Sequence, residues 1–181
     1  LDHFVLAINP RPWRENNVLK LLVVSAYYPH KQPGLISEAT RILNAIGIPT
    51  HLTLTMSLDD IADTPGGAKD TFLVKKGIER GDTTLLGAVA YDELPSLYHE
   101  HDVFVTASLS ETFGHPLAEA MAAGLPTVAA DTPVHREVCK DAATYFKATS
   151  AQSLVSTIQE LDNHADLRQS LKDHALIYPK T

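Results

Sequence analysis

The chain has 181 residues, 44% of them hydrophobic and 20% charged, enough for one domain with a sizeable core. A formal net charge of −7 argues against nucleic acid or an anionic membrane surface as the main partner, while a local basic pocket for one phosphorylated ligand stays open. The single cysteine, Cys139, excludes an intrachain disulfide, and no apolar run reaches the roughly 20 residues a membrane-spanning helix needs, so a cytoplasmic setting is expected.

Residues 1–19 carry no regular pattern: "HFVLAIN" has strand character, and "PRPWRENN" is broken by prolines. From Lys20 the pattern is regular. "LKLLVVSA" is a continuous apolar run, as in a parallel strand buried on both faces. "YYPHKQPG" is the turn after it, and Ser37 to Ile46 have helical spacing, with Ala39, Ile42, Leu43 and Ile46 on one side and Gly47 closing the helix. "THLTLTM" is a second strand, followed by a polar Gly-Gly loop and a helix around Lys69 to Ile78. "TTLLG" reads as the third strand, "DELPSLYHEH" as a short helix and "DVFVTA" as the fourth strand. A loop and helix follow, then "PTVAA" and "ATYF" as the last strands, and two polar helices near 151–163 and 165–175. Strands alternating with helices predict an α/β fold: a doubly wound, Rossmann-like parallel sheet of about six strands. Right-handed crossovers then gather the strand-to-helix loops along one edge of the sheet, where such folds bind ligands.

The richest of these loops is "SLSETFGHPLAEAMAAGLPTVAADT", residues 108–132. Pro116 suits the first turn of a helix, because its missing N–H would have no partner there. Gly124, with Pro126 soon after, ends that helix after barely two turns. The N–H groups of Phe113, Gly114 and His115 and of the helix start form a donor array suited to a phosphate, and Gly114 lets backbone approach a ligand closely. Glu119, one turn into the helix, is placed to accept hydrogen bonds from a vicinal diol such as a ribose. Glu111, before the turn, reaches another part of the same ligand. In isolation two such glutamates read more readily as a helix-dipole partner and a solvated loop residue.

Context reverses that reading. The order strand, Glu111, Phe-Gly-x-Pro, Glu119-Ala-Met-Ala-x-Gly-x-Pro, strand resembles the donor-site signature of retaining glycosyltransferases of the GT-B fold, a large bacterial and plant α-glycosyltransferase family. Its hallmark is two glutamates with seven residues between them, and the resemblance runs from about Leu21 to Leu161. The resemblance implies that residues 1–181 are the C-terminal, nucleotide-sugar-binding half of such an enzyme, with an N-terminal acceptor domain outside this chain. Leu at position 1 fits that expectation. By the same resemblance Glu119 holds the ribose hydroxyls, and Glu111, the catalytic candidate, contacts the transferred sugar. Phe113, Gly114 and His115, opened by Pro116, hold sugar hydroxyls and the distal phosphate. The turn Gly87, Ala88 and Val89 reads the nucleobase, and Lys31 neutralises the diphosphate, a fixed cation opposite a developing anion. The implied partner is a UDP- or GDP-linked sugar. No cofactor or metal is expected, and membrane association is expected only through the other domain. An arginine common in the family at the end of the first strand is replaced by Val24-Ser25-Ala26, with Arg11 or Arg14 as candidate substitutes.

The rival readings are a nucleotide-sugar epimerase of the same architecture, a glycosidase using both carboxylates, and a non-catalytic nucleotide-binding module. Of four further features, three read as structural and the fourth, Glu137, is evenly divided. "HEHD" places His99 and His101 at a helix-to-strand junction without further ligands at metal spacing. "TPGGAKD" lacks Walker spacing, Cys139 reads as a packed residue, and Glu137 reads equally as a capping or ion-pair residue and as a ligand contact.

Overall fold

The computed structural model describes Phe4, residues 11–112 and residues 114–177. The strand character of "HFVLAIN" and the role of Phe113 therefore lie outside the described residues, apart from Phe4 itself. Six strands form one sheet: β1 (Leu19–Val23), β2 (Thr50–Leu54), β3 (Thr83–Leu85), β4 (Val103–Thr106), β5 (Thr127–Ala130) and β6 (Ala143–Phe146). Every pairing is parallel, and the order across the sheet is β3-β2-β1-β4-β5-β6. The expected doubly wound sheet is borne out.

The apolar run of β1 is continuous because both of its faces are covered. Leu19, Leu21 and Val23 face one core with Ile36, Ala39 and Leu43 of α1 (Pro33–Ala45) and Leu154, Val155 and Ile158 of α7 (Ala151–Asn163). Leu22, between them in sequence, faces the other core with Phe104 of β4, Tyr98 of α4 (Leu94–His99) and Leu117 and Ala120 of α5 (His115–Ala122). Successive strand residues point to opposite faces, so both parities must be apolar.

The strand order reverses at β1. Winding runs outward through β2 and β3, then returns to lay β4 against the free side of β1, with Leu21 opposite both Leu52 and Val103. The loops after β1 and β4 therefore diverge and open a crevice at the carboxyl edge of the sheet.

Two helices escape the periodicity reading because they are too short to show it. The five residues of α2 (Leu58–Ala62) begin at a reciprocal cap in which Ser57 Oγ accepts from Asp60 N at 3.1 Å and Asp60 Oδ2 from Ser57 N at 2.8 Å. The seven of α6 (Pro133–Cys139) start at Thr132, whose hydroxyl accepts from His135 N at 3.3 Å, with Pro133 in the first turn. The remaining α-helices are α3 (Ala68–Arg80) and α8 (Ala165–Ile177). No helix among the described residues is long and apolar enough to cross a membrane.

The proline-broken "PRPWRENN" segment has a definite place. Trp13 Nε1 donates to Asp162 Oδ1 at 2.8 Å, and the Arg168 guanidinium lies 4.2 Å over the Trp13 ring. Arg14 pairs with Asp162 at 2.9 Å and Arg11 with the buried Asp102, which also accepts from Lys20 N at 2.8 Å. These contacts tie the segment to the amino ends of β1 and β4 and to the end of α7.

Candidate active site

A cleft of about 780 Å³ opens at the carboxyl edge, between the loop after β1 (Val24–Tyr27), α2, the loop after β3 (Ala88, Val89) and the start of α5 (His115, Pro116, Glu119). A narrower recess adjoins it, sharing Val24, Ser25 and Pro116 and lined further by Lys31, Glu111 and Gly114. Of the candidate site residues, Lys31, Ala88, Val89, Glu111, Gly114, His115, Pro116 and Glu119 line one of these two spaces, while Gly87 does not and Phe113 is not described.

Gly114 sets the geometry. It precedes the first residue of α5 in a left-handed conformation, φ 77°, and a Cβ there would meet Leu117 Cδ1 at 2.8 Å. Glycine is thus favoured by the backbone conformation, and any side chain there would also displace the end of Leu117. Pro116 has no N–H, and Leu117 N donates back to Gly114 O at 2.9 Å, so the turn tightens as the helix begins. Gly87 is likewise left-handed, φ 69°, but a side chain would meet nothing within 4 Å there, so its requirement is conformational alone. The loop it begins is pinned to β2 by Leu86 N to Leu54 O at 2.9 Å.

Glu119 faces the cleft from the second turn of α5 and is only 7% exposed. It is held there by the fully buried Tyr98 of α4, whose hydroxyl donates to Glu119 Oε2 at 2.9 Å. Burial and the adjacent carboxylate push the Tyr98 phenol well above its usual range, so it remains a donor. Tyr98 is invisible to motif reading because its partner lies 21 residues away on another helix.

Glu111 and Lys31 meet directly. Lys31 Nζ donates to Glu111 Oε1 at 2.5 Å, and the two side chains are 15% and 18% exposed. Each was expected to contact a ligand; nothing in the local pattern indicates that they contact each other. The loops that carry them are sewn together by backbone, Leu109 N donating to His30 O at 2.9 Å. Gln32, also unanticipated, is the clasp: its Nε2 donates to Ala107 O at 2.7 Å and Ala148 O at 2.9 Å, joining the loops after β1, β4 and β6. It does so from a left-handed backbone, φ 51°, a conformation uncommon outside glycine and held here by those two bonds.

The cleft is electrically one-sided. Asp59, Asp60, Asp63 and Glu119 line it, and Lys31 is the single lysine or arginine among the described residues of cleft and recess. Arg11 and Arg14 do not replace the missing arginine, because both are committed to Asp102 and Asp162 at the opposite edge of the sheet. Val24, Ser25 and Ala26 line the cleft without a cation. His99 Nε2 lies 3.2 Å from Phe4 O and His101 Nδ1 2.7 Å from Leu97 O, and no metal-binding cluster exists among the described residues. Cys139 is fully buried, with its thiol pushed up to about 12 by burial, and Glu137 is exposed on α6.

Residues 9–176 match the family described as Glycosyl transferases group 1. The chain belongs to that family. The glycosyl transferase chain is 32% identical over 95 residues to the O-antigen chain mannosyltransferase RfbU of Salmonella typhimurium, and 35% identical over 102 residues to O-antigen chain mannosyltransferase B of Escherichia coli. These alignments take in 52% and 56% of this chain but 27% and 24% of the two relatives. Its fold matches that of the C-terminal domain of a group 1 glycosyl transferase, LpcC of Francisella tularensis, with a TM-score of 0.74 and 19% identity over 97% of this chain and 94% of that one. It also matches Anabaena HepE, solved in complex with UDP and glucose, with a TM-score of 0.73 and 20% identity over 88% of this chain and 42% of that one.

Proposed function

We propose that this chain is the donor-binding part of a retaining glycosyltransferase that moves a hexosyl group from a nucleoside diphosphate to an acceptor hydroxyl held by a domain outside these residues. The observation that carries the reading is the placement of Glu119 and of the Lys31–Glu111 pair in two joined spaces at the switch point of the sheet. In this reading Glu119, oriented by Tyr98, accepts from the ribose hydroxyls, and the turn of Ala88 and Val89 borders the base. The tight start of α5, with Phe113, Gly114 and His115, receives the distal phosphate and the sugar.

Lys31 then changes partner. In the free chain it is matched to Glu111; with the donor bound its ammonium meets the diphosphate and offsets the charge that develops on the leaving group. Glu111 is thereby released toward the transferred sugar, where positive charge grows at the anomeric carbon. The acceptor hydroxyl approaches on the face from which the diphosphate departs, so the α linkage is kept. A retaining hydrolase would need its two carboxylates about 5 Å apart across one sugar. Here they serve different partners, Lys31 and Tyr98, which favours the transferase.

The test is calorimetric titration of the chain with UDP, GDP and ADP, then with UDP- and GDP-linked glucose and mannose, the sugars named for its relatives and fold neighbour. Binding of one nucleoside diphosphate, tighter than its nucleoside and lost in Lys31→Ala, is expected. Failure of all three nucleotides to bind would refute the reading.

A further inference from the structure

His135 is fully buried at the start of α6, against the carboxyl end of β5. Its Nδ1 lies 2.7 Å from the Ala130 carbonyl, which only accepts, so Nδ1 carries the proton. Nε2 is buried and has no hydrogen-bond partner among the described residues. An orphaned ring nitrogen in the interior is unfavourable, and it calls for a use. β4 and β5 lie side by side, Thr106 opposite Ala129, so the strand ends that lead on to Glu111 and to His135 are neighbours in the sheet.

The charges that act on this imidazole come from two loops of the candidate site. Glu111 favours its protonated form and Lys31 opposes it, against a burial that holds it below the ordinary histidine range. Other charged neighbours are directed elsewhere. Arg136 on the same helix is turned outward and paired with Asp131 at 2.7 Å, Glu137, Lys140 and Asp141 are exposed, and Glu119 on α5 is bonded to Tyr98. Tyr145 of β6 donates to the backbone carbonyls of Lys140, at 2.6 Å, and of His135, at 3.5 Å.

We propose that His135 is a positioning residue for Glu111: it takes up a proton from solvent and steadies the Glu111 carboxylate when Lys31 turns from that carboxylate to the donor diphosphate. The proposal rests on the reading of Lys31 as the diphosphate ligand. While Lys31 and Glu111 are paired, the imidazole sees a neutral couple and stays neutral. Once Lys31 leaves, a carboxylate that is 18% exposed stands without its cation, and protonating Nε2 supplies both a counter-charge and a donor. The orphaned nitrogen then has its partner.

The test separates this device from donor binding by removing the cation genetically. Nitrogen-15 NMR of the imidazole in the chain should show the Nδ1–H neutral tautomer at pH 7, titrating below the ordinary range, with His135→Phe identifying the signal. In Lys31→Met the midpoint should rise by roughly one unit, and the double variant Lys31→Met/Glu111→Gln should abolish the rise. In the unmodified chain, saturation with whichever of UDP or GDP binds should raise the midpoint in the same direction. Binding should take up a proton near pH 7, seen as a dependence of the calorimetric enthalpy on buffer ionisation, and His135→Phe should remove that uptake. A midpoint unmoved in folded Lys31→Met, or raised equally in the double variant, would overturn the proposal. Absence of nucleotide binding would count against the proposed function and leave the single- and double-variant comparison to decide this one.

Discussion

Glu119 is 7% exposed yet borders the cleft, and its one hydrogen-bonded oxygen leans on the Tyr98 hydroxyl. That arrangement separates binding from folding. Glu119→Gln keeps the size and one acceptor, so the domain should fold, while the charge-assisted bonds to ribose hydroxyls weaken. A loss of about 1–3 kcal/mol in nucleoside diphosphate affinity is expected by calorimetry. Unchanged affinity in a folded variant would remove Glu119 from the ribose site. Tyr98→Phe deletes the supporting hydroxyl and leaves a buried carboxylate oxygen short of a donor, so urea unfolding should show a loss of about 1–3 kcal/mol. Lys31 is tested by comparison of ligands. Lys31→Ala should weaken nucleoside diphosphates much more than bare nucleosides, and equal losses would place the ammonium away from the phosphates.

At the scale of elements, the short helix α5 and the turn before it act as one unit. Gly114 is the hinge between a strand-end loop and a helix, and its left-handed backbone lets the chain reverse in a single residue. Gly114→Ala brings a Cβ to 2.8 Å from Leu117 Cδ1 and imposes a conformation that alanine disfavours by about 1–2 kcal/mol. Thermal unfolding should register at least that loss, and donor affinity should fall with it, since the same turn shapes the cradle. A fully stable variant with intact binding would mean that the turn has another conformation in solution. The capping of α6 deserves the same test: Thr132→Ala removes the acceptor for His135 N and should cost about 1 kcal/mol.

At the scale of the whole molecule, three histidines are held below their ordinary range by burial: His51, His101 and His135. Each folded-state value lies below the unfolded one, near 6.5, so on acidification the unfolded chain takes up protons first. Stability is therefore full above about pH 6.5 and declines as pH falls from there through the lower folded values, before the carboxylates titrate. Urea midpoints should be level between pH 8 and 7 and lower at pH 5.5, with His135→Phe flattening part of the slope. A midpoint that rises on going from pH 7 to 5.5 would contradict the burial of these rings.

Length and alternation in the sequence determined most of the architecture. The continuous run of Leu19 to Val23 requires a strand covered on both faces, and a strand-helix alternation requires parallel pairing, because each crossover must carry the chain back to the same end. The turn of Gly114 and Pro116 and the two glutamates were legible for a similar reason: their chemistry is local, written within a few consecutive residues. Helices α2 and α6 were not, since five and seven residues hold too few turns to show a period. What only the tertiary structure decided is pairing across distance. Lys31 and Glu111 are 80 positions apart, Tyr98 and Glu119 are 21 apart, and the Gln32 amide spans 75 and 116 positions to its two carbonyls. The commitment of Arg11 to Asp102, 91 positions away, took a candidate cation out of the site altogether. A sequence states which charges a chain carries and what its near neighbours do. Where the charges meet depends on strand order, because the return of β4 to the side of β1 is what brings the two loops of the candidate site within reach of one another.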